Sequence, residues 1–331
     1  MTDFAVSEAT IAEIHAAMRR GRITSEELVD RYIKRIERYD QAGPELTGIV
    51  TIHPDVHVEA RARDATFAED GPAEPLPGVP VLVKDQVKTA GLRTTFGSEA
   101  FSEYIPEEDA AIVEHVRSAG GVVLAKTNLP DWAASWFGYS SAHSETKNPY
   151  ALARDPGGSS AGTAAGVAAN LGTVGIGEDT GGSIRVPASC YNLFGIRMTT
   201  GLISRTGLSP LVVQQDTAGP MARTIEDIVR LLDVLVGYDP DDQWTAAVRH
   251  RTTDSYLDHL EPTAIESARL GVLRTAFGDD DPDAAPVNAV VTNTLETLEA
   301  AGATLIDPLA IPDLEECLAE TALYILRPAT T

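Results

Sequence analysis

Short apolar segments alternate with helical segments over most of this 331-residue chain. The clearest of them, residues 79–83, is rich in β-branched side chains and follows turn residues, which is typical of a buried strand. Alternation of this kind predicts an α/β fold with a central, mostly parallel or mixed β-sheet flanked by helices on both faces. We expect a single domain over residues 1–331, with a polar loop or excursion at residues 239–266.

The charge balance is strongly acidic, with 49 acidic residues, 26 basic residues and a formal net charge of -23. Nucleic acids and anionic membrane surfaces would repel such a chain, so neither is expected as a partner. The acidic residues are scattered and form no single tail, which favours a carboxylate-rich surface adapted to high salt.

Signals for export or membrane insertion are not seen in the sequence. The first twenty residues contain Asp3 and no unbroken apolar run, which argues against a signal peptide. No eighteen apolar residues run together, so we expect no membrane span and a cytoplasmic protein. The two cysteines, Cys190 and Cys317, are too few for a disulfide scaffold and lie in apolar stretches. They are predicted to be reduced core residues.

Two glycine-rich segments place hydroxyl groups on turns, at residues 155–162 (DPGGSSAG) and 177–185 (GEDTGGSIR). Their glycines permit positive φ and close approach of the backbone to a ligand. Amide hydrolysis needs an activated nucleophile, a proton shuttle and N–H donors for the oxyanion. The sequence TGGS at residues 180–183 could supply a serine beside such donors. Each segment alone could also be a capped helix start.

Lys84 directly follows the apolar strand, so we expect it at the C-terminal edge of the sheet, where α/β folds place their sites. A lysine shielded from water has a lowered pKa and can act as a base. The chain contains only five lysines. A lysine at this point therefore favours a chemical role, while a side chain that merely reaches out to solvent stays an alternative.

Together these segments resemble the amidase signature family of serine hydrolases. The resemblance runs from about residue 7 to the end of the chain. It is carried by the 24-residue spacing between Ser159 and Ser183 and by four blocks, GVPVLVKD, KNPYALARDPGGSSAG, GEDTGGSIRVPAS and QQDTAGPMARTIEDIVRLLD. One departure is Ala161, which stands where the family's GGSSGG pattern has a glycine.

The resemblance implies a catalytic triad and an acyl-enzyme mechanism. Ser183 would be the nucleophile, Ser159 the proton shuttle behind a cis peptide bond, and Lys84 the base. The oxyanion hole would be formed by Thr180, Gly181, Gly182 and Ser183. The substrate would be a small-molecule amide, and no metal or organic cofactor would be needed. Trp136 and Phe137 are candidates to line an acyl pocket, although ordinary core aromatics explain them equally well.

Family members usually extend considerably further, with strands and helices that complete the sheet and one wall of the pocket. We therefore expect this chain to lack the C-terminal part of the family's fold. The sequence does not decide whether the chain forms a homodimer, and it does not identify the amide substrate.

Other activities stay open at this point. The chain could be an amidase subunit of the amidotransferase type, or an inactive pseudoenzyme that acts in an assembly. Ser160 also fits the G-x-S-x-G motif of α/β-hydrolases, but the only later histidines, His250 and His259, lie in the polar segment. His53 and His57 stand four residues apart, yet Pro54 and the lack of a third ligand favour a solvated helix start over a metal site.

Salt dependence follows from the charge balance. Raising KCl from 0.1 M to 1 M shortens the Debye length from about 10 Å to about 3 Å, which weakens the repulsion among surface carboxylates. We expect the midpoint of thermal unfolding and the amidase rate both to rise over this range. Full stability and activity at low salt would contradict a high-salt adaptation.

Overall fold

The computed structural model describes residues 4–70, 75–250, 255–278 and 281–326. They fall into two compact units, Met1–His259 and Leu260–Thr331, and each is described here by itself. The boundary lies inside the polar segment 239–266. The expectation of one domain over the whole chain stays a prediction.

The first unit holds the central sheet and the helices that cover it. Its α-helices are α1 (Ile11–Arg19), α2 (Ser25–Arg35), α3 (Val56–Asp70), α4 (Ala111–Ser118), α5 (Ala161–Ala168), α6 (Arg185–Cys190) and α7 (Ile225–Leu235). Its strands are β1 (Ile49–Ile52), β2 (Pro80–Lys84), β3 (Val122–Thr127), β4 (Tyr139–Ser140), β5 (Ser144–Glu145), β6 (Val174–Asp179), β7 (Phe194–Gly195) and β8 (Thr217–Ala222).

The second unit is smaller. It contains the parallel strands β9 (Arg269–Gly271) and β10 (Thr304–Ile306) and the helices α8 (Ala285–Ala300) and α9 (Leu314–Leu326). The sequence predicts all four elements to within a few residues. The predicted end of the last helix, Arg327, lies outside the described residues.

The main sheet has six strands in the order β1-β3-β2-β6-β8-β7. Strands β3, β2 and β6 are mutually parallel, whereas β1 on one side and β8 and β7 on the other run antiparallel to their neighbours. The sheet is therefore mixed, one of the two arrangements that the sequence predicts. Strand β8 escapes sequence prediction because it contains Gly219 and Pro220 and lacks a β-branched run.

Helices cover both faces of this sheet, as predicted. Alternate residues of a strand point to opposite faces. In β2, Val81 and Val83 belong to the core completed by α4 and α7, whereas Leu82 belongs to the core under α1, α2 and α3. Burial of both faces explains why this strand is a continuous apolar run in the sequence.

Helix α5 lies close to the sheet because the residues at the contact are small. A Cβ on Gly166 of the helix would lie 2.5 Å from Cδ1 of Leu82, and one on Gly175 of β6 would lie 2.4 Å from Cγ2 of Thr163. Neither distance leaves room for a methyl group. This close approach places the N-terminus of α5 over the C-terminal ends of β2 and β6.

The predicted capping box at the start of α2 is present. The hydroxyl of Thr24 accepts the N–H of Glu27, and the carboxylate of Glu27 accepts the N–H of Thr24, both at 3.1 Å. Each bond satisfies an N–H group that the first helical turn leaves without a partner. This local signal needs no tertiary contact, which is why the sequence reveals it.

Three predictions about side-chain environment are wrong. Cys190 and Cys317 are both exposed and are therefore not core residues. Helix α6 buries Ala188, and Cys190 lies two positions further on, which is the opposite side of a helix. His53 is buried, not solvated, and accepts the N–H of Asp55 at 3.1 Å.

Among the described residues, none of the helices is both long and apolar enough to cross a membrane.

Gly162 tests the close approach of α5. A Cβ there would lie 2.3 Å from the backbone nitrogen of Asn128 and 2.4 Å from the carbonyl oxygen of Gly48. Because backbone atoms cannot turn away, Gly162→Ala should lower the free energy of unfolding by about 1–3 kcal/mol in urea denaturation. The neighbouring Ala161→Gly is the control and should cost about 1 kcal/mol or less. Equal stability of Gly162→Ala and the wild type would contradict the packing described.

Candidate active site

Lys84 is the last residue of β2 and lies at the C-terminal edge of the sheet. The parallel register sets Val83 opposite Ile176, so Lys84 ends beside the last residues of β6. Its side chain follows Leu82 onto the face that α5 covers. The side chain is fully buried, which rules out the alternative that it reaches out to solvent.

The amine of Lys84 has three partners. Its Nζ lies 2.8 Å from Oγ of Ser159, 3.2 Å from the carbonyl oxygen of Glu178 and 3.4 Å from Oε2 of the same residue. Burial lowers the pKa of Lys84, and the nearby carboxylates of Glu178 and Asp179 oppose this effect only in part. The arrangement favours a neutral amine in contact with a serine hydroxyl.

Ser159 is held by the turn that precedes α5. The Gly158–Ser159 peptide bond is cis. A Cβ on Gly158 would lie 3.0 Å from the carbonyl oxygen of Phe137 and 3.0 Å from the carbonyl carbon of Trp136. The segment 135–137 therefore packs directly on this turn, which only glycine permits.

The two serine-bearing turns are joined through their backbones. The N–H of Ser160 donates to the carbonyl oxygen of Ser183 at 3.1 Å. Ser183 is 3% exposed, so its turn borders the surface although Ser159 does not. Within the described part of the chain, no hydrogen bond joins the hydroxyls of Ser159 and Ser183.

Asp179 organises the turn that carries Ser183. Its Oδ1 accepts the N–H of Gly182 at 2.7 Å, and its Oδ2 accepts the N–H of Ile184 at 3.0 Å. The guanidinium of Arg185 donates to both oxygens, and that of Arg197 lies 3.4 Å away. Sequence reasoning gave Asp179 no role. Its signal is an acidic residue directly before a glycine turn, which can accept several N–H groups.

These bonds govern the charge of Asp179. Its burial alone would raise the pKa, but the hydrogen bonds from Arg185, Ile184 and Gly182 outweigh burial and hold the pKa below its ordinary value. The carboxyl group of Asp179 is therefore ionised, and it holds the turn in place by accepting its N–H groups.

The turn carries the four backbone N–H groups that the sequence suggests as oxyanion donors. The four groups are not equivalent. The N–H of Gly182 is directed to Asp179. The N–H groups of Thr180, Gly181 and Ser183 have no hydrogen-bond acceptor among the described residues. Gly182 has a φ of +135°, a backbone conformation that its lack of a side chain allows.

The aromatic candidates lie beside these turns and are open to solvent. Trp136 is 41% exposed and Phe137 is 65% exposed, so neither is an ordinary core residue. A Cβ on Gly182 would lie 3.5 Å from Nε1 of Trp136, which brings the indole to the edge of the Ser183 turn. These side chains could therefore contact a ligand bound there.

Ser160, the alternative nucleophile, is engaged elsewhere. It is fully buried, and its hydroxyl donates to the carbonyl oxygen of Glu178 at 3.2 Å. It also accepts the N–H of Glu178 at 3.3 Å. These contacts tie the start of α5 to the end of β6 and leave Ser160 in a structural position.

The chain is similar to known proteins in sequence and in fold. The model of the Amidase family matches residues 27–330. A probable amidase of Arabidopsis thaliana is 36% identical over 94% of this chain and 60% of its own. A glutamyl-tRNA(Gln) amidotransferase subunit from Acinetobacter baumannii (strain AYE) is 38% identical over 93% of this chain and 61% of its own.

Solved structures agree with these relatives. The native peptide amidase from Stenotrophomonas maltophilia superposes with a TM-score of 0.87 at 35% identity, and the match covers 96% of this chain and 65% of that one. The chain thus spans about 60% of the length of the curated relatives it matches.

Asp179 gives a test of how the turn is held. Asp179→Ala leaves three backbone N–H groups, those of Gly182, Ile184 and Arg185, and two guanidinium groups without their acceptor. We expect a loss of about 3–5 kcal/mol in the free energy of unfolding. Asp155→Ala is the matched control, because the exposed Asp155 accepts a single N–H group within the described residues, that of Gly157 at 2.7 Å. It should cost about 0.5–1.5 kcal/mol.

The stabilisation by Asp179 should depend on pH. Since the folded pKa is depressed, this contribution is complete above the ordinary aspartate pKa of about 4 and is lost as pH falls through the lower folded value. Urea denaturation from pH 7 to pH 3 should therefore show the wild type and Asp179→Ala converging in acid. A constant difference over this range, or a cost no larger than that of the control, would refute the assignment.

Proposed function

Because the chain belongs to the amidase family, we propose that it hydrolyses a carboxamide to a carboxylate plus ammonia or an amine through an acyl-enzyme on Ser183. The observation that carries the proposal is the contact of 2.8 Å between the buried amine of Lys84 and the hydroxyl of Ser159. A buried, neutral lysine can take a proton from a serine, which exposed lysines do not do at neutral pH. No metal or organic cofactor takes part in the proposed reaction.

Acylation begins with the attack of Ser183. Its Oγ forms a bond to the amide carbon while its proton passes to Ser159, whose own proton moves to Nζ of Lys84. The backbone hydrogen bond between Ser160 and Ser183 joins the two turns that carry these hydroxyls. The tetrahedral oxyanion then lies near the N–H groups of Thr180, Gly181 and Ser183, while Gly182 holds the turn.

Breakdown returns the protons along the same path. Lys84 gives its proton back through Ser159 to the leaving nitrogen, the carbon–nitrogen bond breaks, and ammonia or an amine departs. Water then attacks the acyl-enzyme and loses a proton to the same pair. The release of the carboxylic acid restores the hydroxyl of Ser183.

We assign Trp136 and Phe137 to the acyl side of the substrate. Their exposure and the position of the indole beside Gly182 support this role. Aromatic side chains that are open to solvent favour an apolar ligand surface. The amide substrate is therefore expected to carry an apolar or aromatic group.

The second candidate is an amidase subunit of the amidotransferase type, which the 38% identity to the Acinetobacter protein supports. Such a protein would release ammonia from glutamine and would depend on partner chains. Ammonia release by the purified single chain separates the two. Turnover of simple aryl or aliphatic amides favours the stand-alone amidase, and turnover of glutamine alone favours the amidotransferase type. A well-folded chain that turns over neither and reacts with no serine probe would be a pseudoenzyme.

Adaptation to high salt is also proposed, on the strength of the acidic composition. Acidic residues such as Glu107, Glu108 and Asp258 are exposed, as a hydrated carboxylate surface requires. Their mutual repulsion would be offset by screening in concentrated salt.

The triad is tested with a fluorophosphonate probe, which labels activated serines. We expect Ser183→Ala to abolish labelling and to lower amide hydrolysis by about 10⁴-fold to 10⁶-fold. Lys84→Ala should lower both by about 10²-fold to 10⁴-fold, since only the base is lost. Ser160→Ala is the matched control and should keep its label. Labelling that persists in Ser183→Ala, or disappears in Ser160→Ala with the fold intact, would overturn the assignment.

A further inference from the structure

Glu178 is a buried carboxyl group that the proposed mechanism does not use. It follows Gly177 on β6 and therefore points to the face of the sheet opposite α5. Lys84 lies at the edge between these faces, with Ser159 on one side of its amine and the carboxyl group of Glu178 on the other. Burial raises the pKa of Glu178, Lys84 opposes this, and the carboxylate of Asp216 adds to it.

The hydrogen bonds around Thr180 indicate which of two neighbouring carboxyl groups carries a proton. The hydroxyl of Thr180 lies 2.5 Å from Oδ1 of Asp216 and 3.0 Å from Oε1 of Glu178. A hydroxyl has one proton and can donate it to only one of the two carboxyl groups. In the contact that does not receive the Thr180 proton, the carboxyl group must itself be protonated and donate to the Thr180 oxygen.

Asp216 is the acceptor of the two. Its Oδ2 accepts the N–H of Leu211 at 2.9 Å, and its two oxygens share the N–H of Val212 at 3.0 and 3.1 Å. Both oxygens thus already face N–H donors, and Oδ1 is in addition the nearer of the two carboxyl oxygens to the hydroxyl of Thr180. The proton in the contact between Thr180 and Glu178 therefore belongs to Glu178.

We propose that Glu178 is a neutral carboxylic acid which carries the one proton shared by the Lys84–Glu178 pair and so keeps Lys84 as a free amine. In balance, one N–H bond of an ammonium breaks, one O–H bond forms on Glu178, and the net charge of the pair stays zero. The amine then donates its two protons to the carbonyl oxygen and to Oε2 of Glu178. Its lone pair is left to face the hydroxyl of Ser159.

An ionised Glu178 would have the opposite effect. A carboxylate 3.4 Å from the amine would stabilise the ammonium form of Lys84 and make the lysine a weaker base. The protonation state of Glu178 thus affects how readily the lysine accepts a proton. Because its link to Ser159 is through Lys84, Glu178 is a positioning residue, and its effect on rate rests on the proposed function.

A cavity borders Glu178. It is a space of about 200 Å³ that is also lined by Thr206, Ser209 and Asp216. The other charged groups that line it are Arg205, Asp241 and Asp242, and Arg205 is paired with Asp242 at 2.8 Å.

Infrared spectroscopy tests the proton directly, without any need for activity. The difference spectrum between the full wild-type chain and Glu178→Gln at pH 7 should show the carbonyl stretch of a protonated carboxyl group. Glu145→Gln, at an exposed position, is the control and should show the loss of an ionised carboxylate. A carboxylate band for Glu178 would overturn the proposal, whether or not the chain proves to be an amidase.

The pH profile of fluorophosphonate labelling tests the consequence. Glutamine can donate to Thr180 and accept from Lys84 as the neutral acid does, so Glu178→Gln should keep the midpoint of the acid limb. Glu178→Leu removes both bonds and should label about tenfold more slowly at pH 7. An acid limb moved down by about 1–3 pH units in Glu178→Gln would mean that Glu178 is ionised in the wild type.

These outcomes separate the two proposals. A wild-type chain that is not labelled at all contradicts the acyl-enzyme on Ser183, while the infrared band still decides the state of Glu178. Labelling of Glu178→Leu at the wild-type rate contradicts a positioning role. If Glu178→Leu does not fold, the infrared band and the profile of Glu178→Gln carry the test.

Discussion

The burial of one amine at the edge of the sheet is the constraint on which the rest of the site depends. The side chain of Lys84 is fully buried, so its charge must be removed or compensated by its neighbours. Three groups surround it: the hydroxyl of Ser159, and the carbonyl and carboxyl oxygens of Glu178. The same burial that makes a charged lysine costly makes a neutral one a usable base. The proposed chemistry and the proposed role of Glu178 both follow from that single placement.

Close packing brings the other groups to that amine. Glycines on α5 and β6 let the helix lie directly on the sheet, so the turn before the helix reaches the end of β2. Asp179 then fixes the following turn by accepting N–H groups from inside it. Both arrangements position the backbone of the turns, and the side chains of Ser159 and Ser183 are left for the proposed reaction. The aromatic segment 135–137 packs on the same turn and leaves Trp136 and Phe137 open to solvent.

The sequence supports a large part of this description. Patterns of local origin predict the elements well, from the capping box of Thr24 to the buried strand that ends at Lys84. The motif resemblance points to the three residues of the proposed triad. Patterns fail where the outcome depends on remote neighbours. Strand β8 has no strand-like composition, yet it pairs with β6 on one side and with β7 on the other. Cys190 lies in an apolar stretch and is nevertheless exposed.

By itself, the sequence determined the alternation of strands and helices, the acidic balance and the identity of the residues that can carry amide chemistry. Only the tertiary structure decided which face each residue occupies and which hydrogen-bond partners it has. It directed the N–H of Gly182 to Asp179, engaged Ser160 with the main chain, and set Glu178 against Lys84. The physical reason is that a pKa or a hydrogen bond depends on burial and on partners distant in the chain, such as Lys84 and Glu178, which are 94 residues apart.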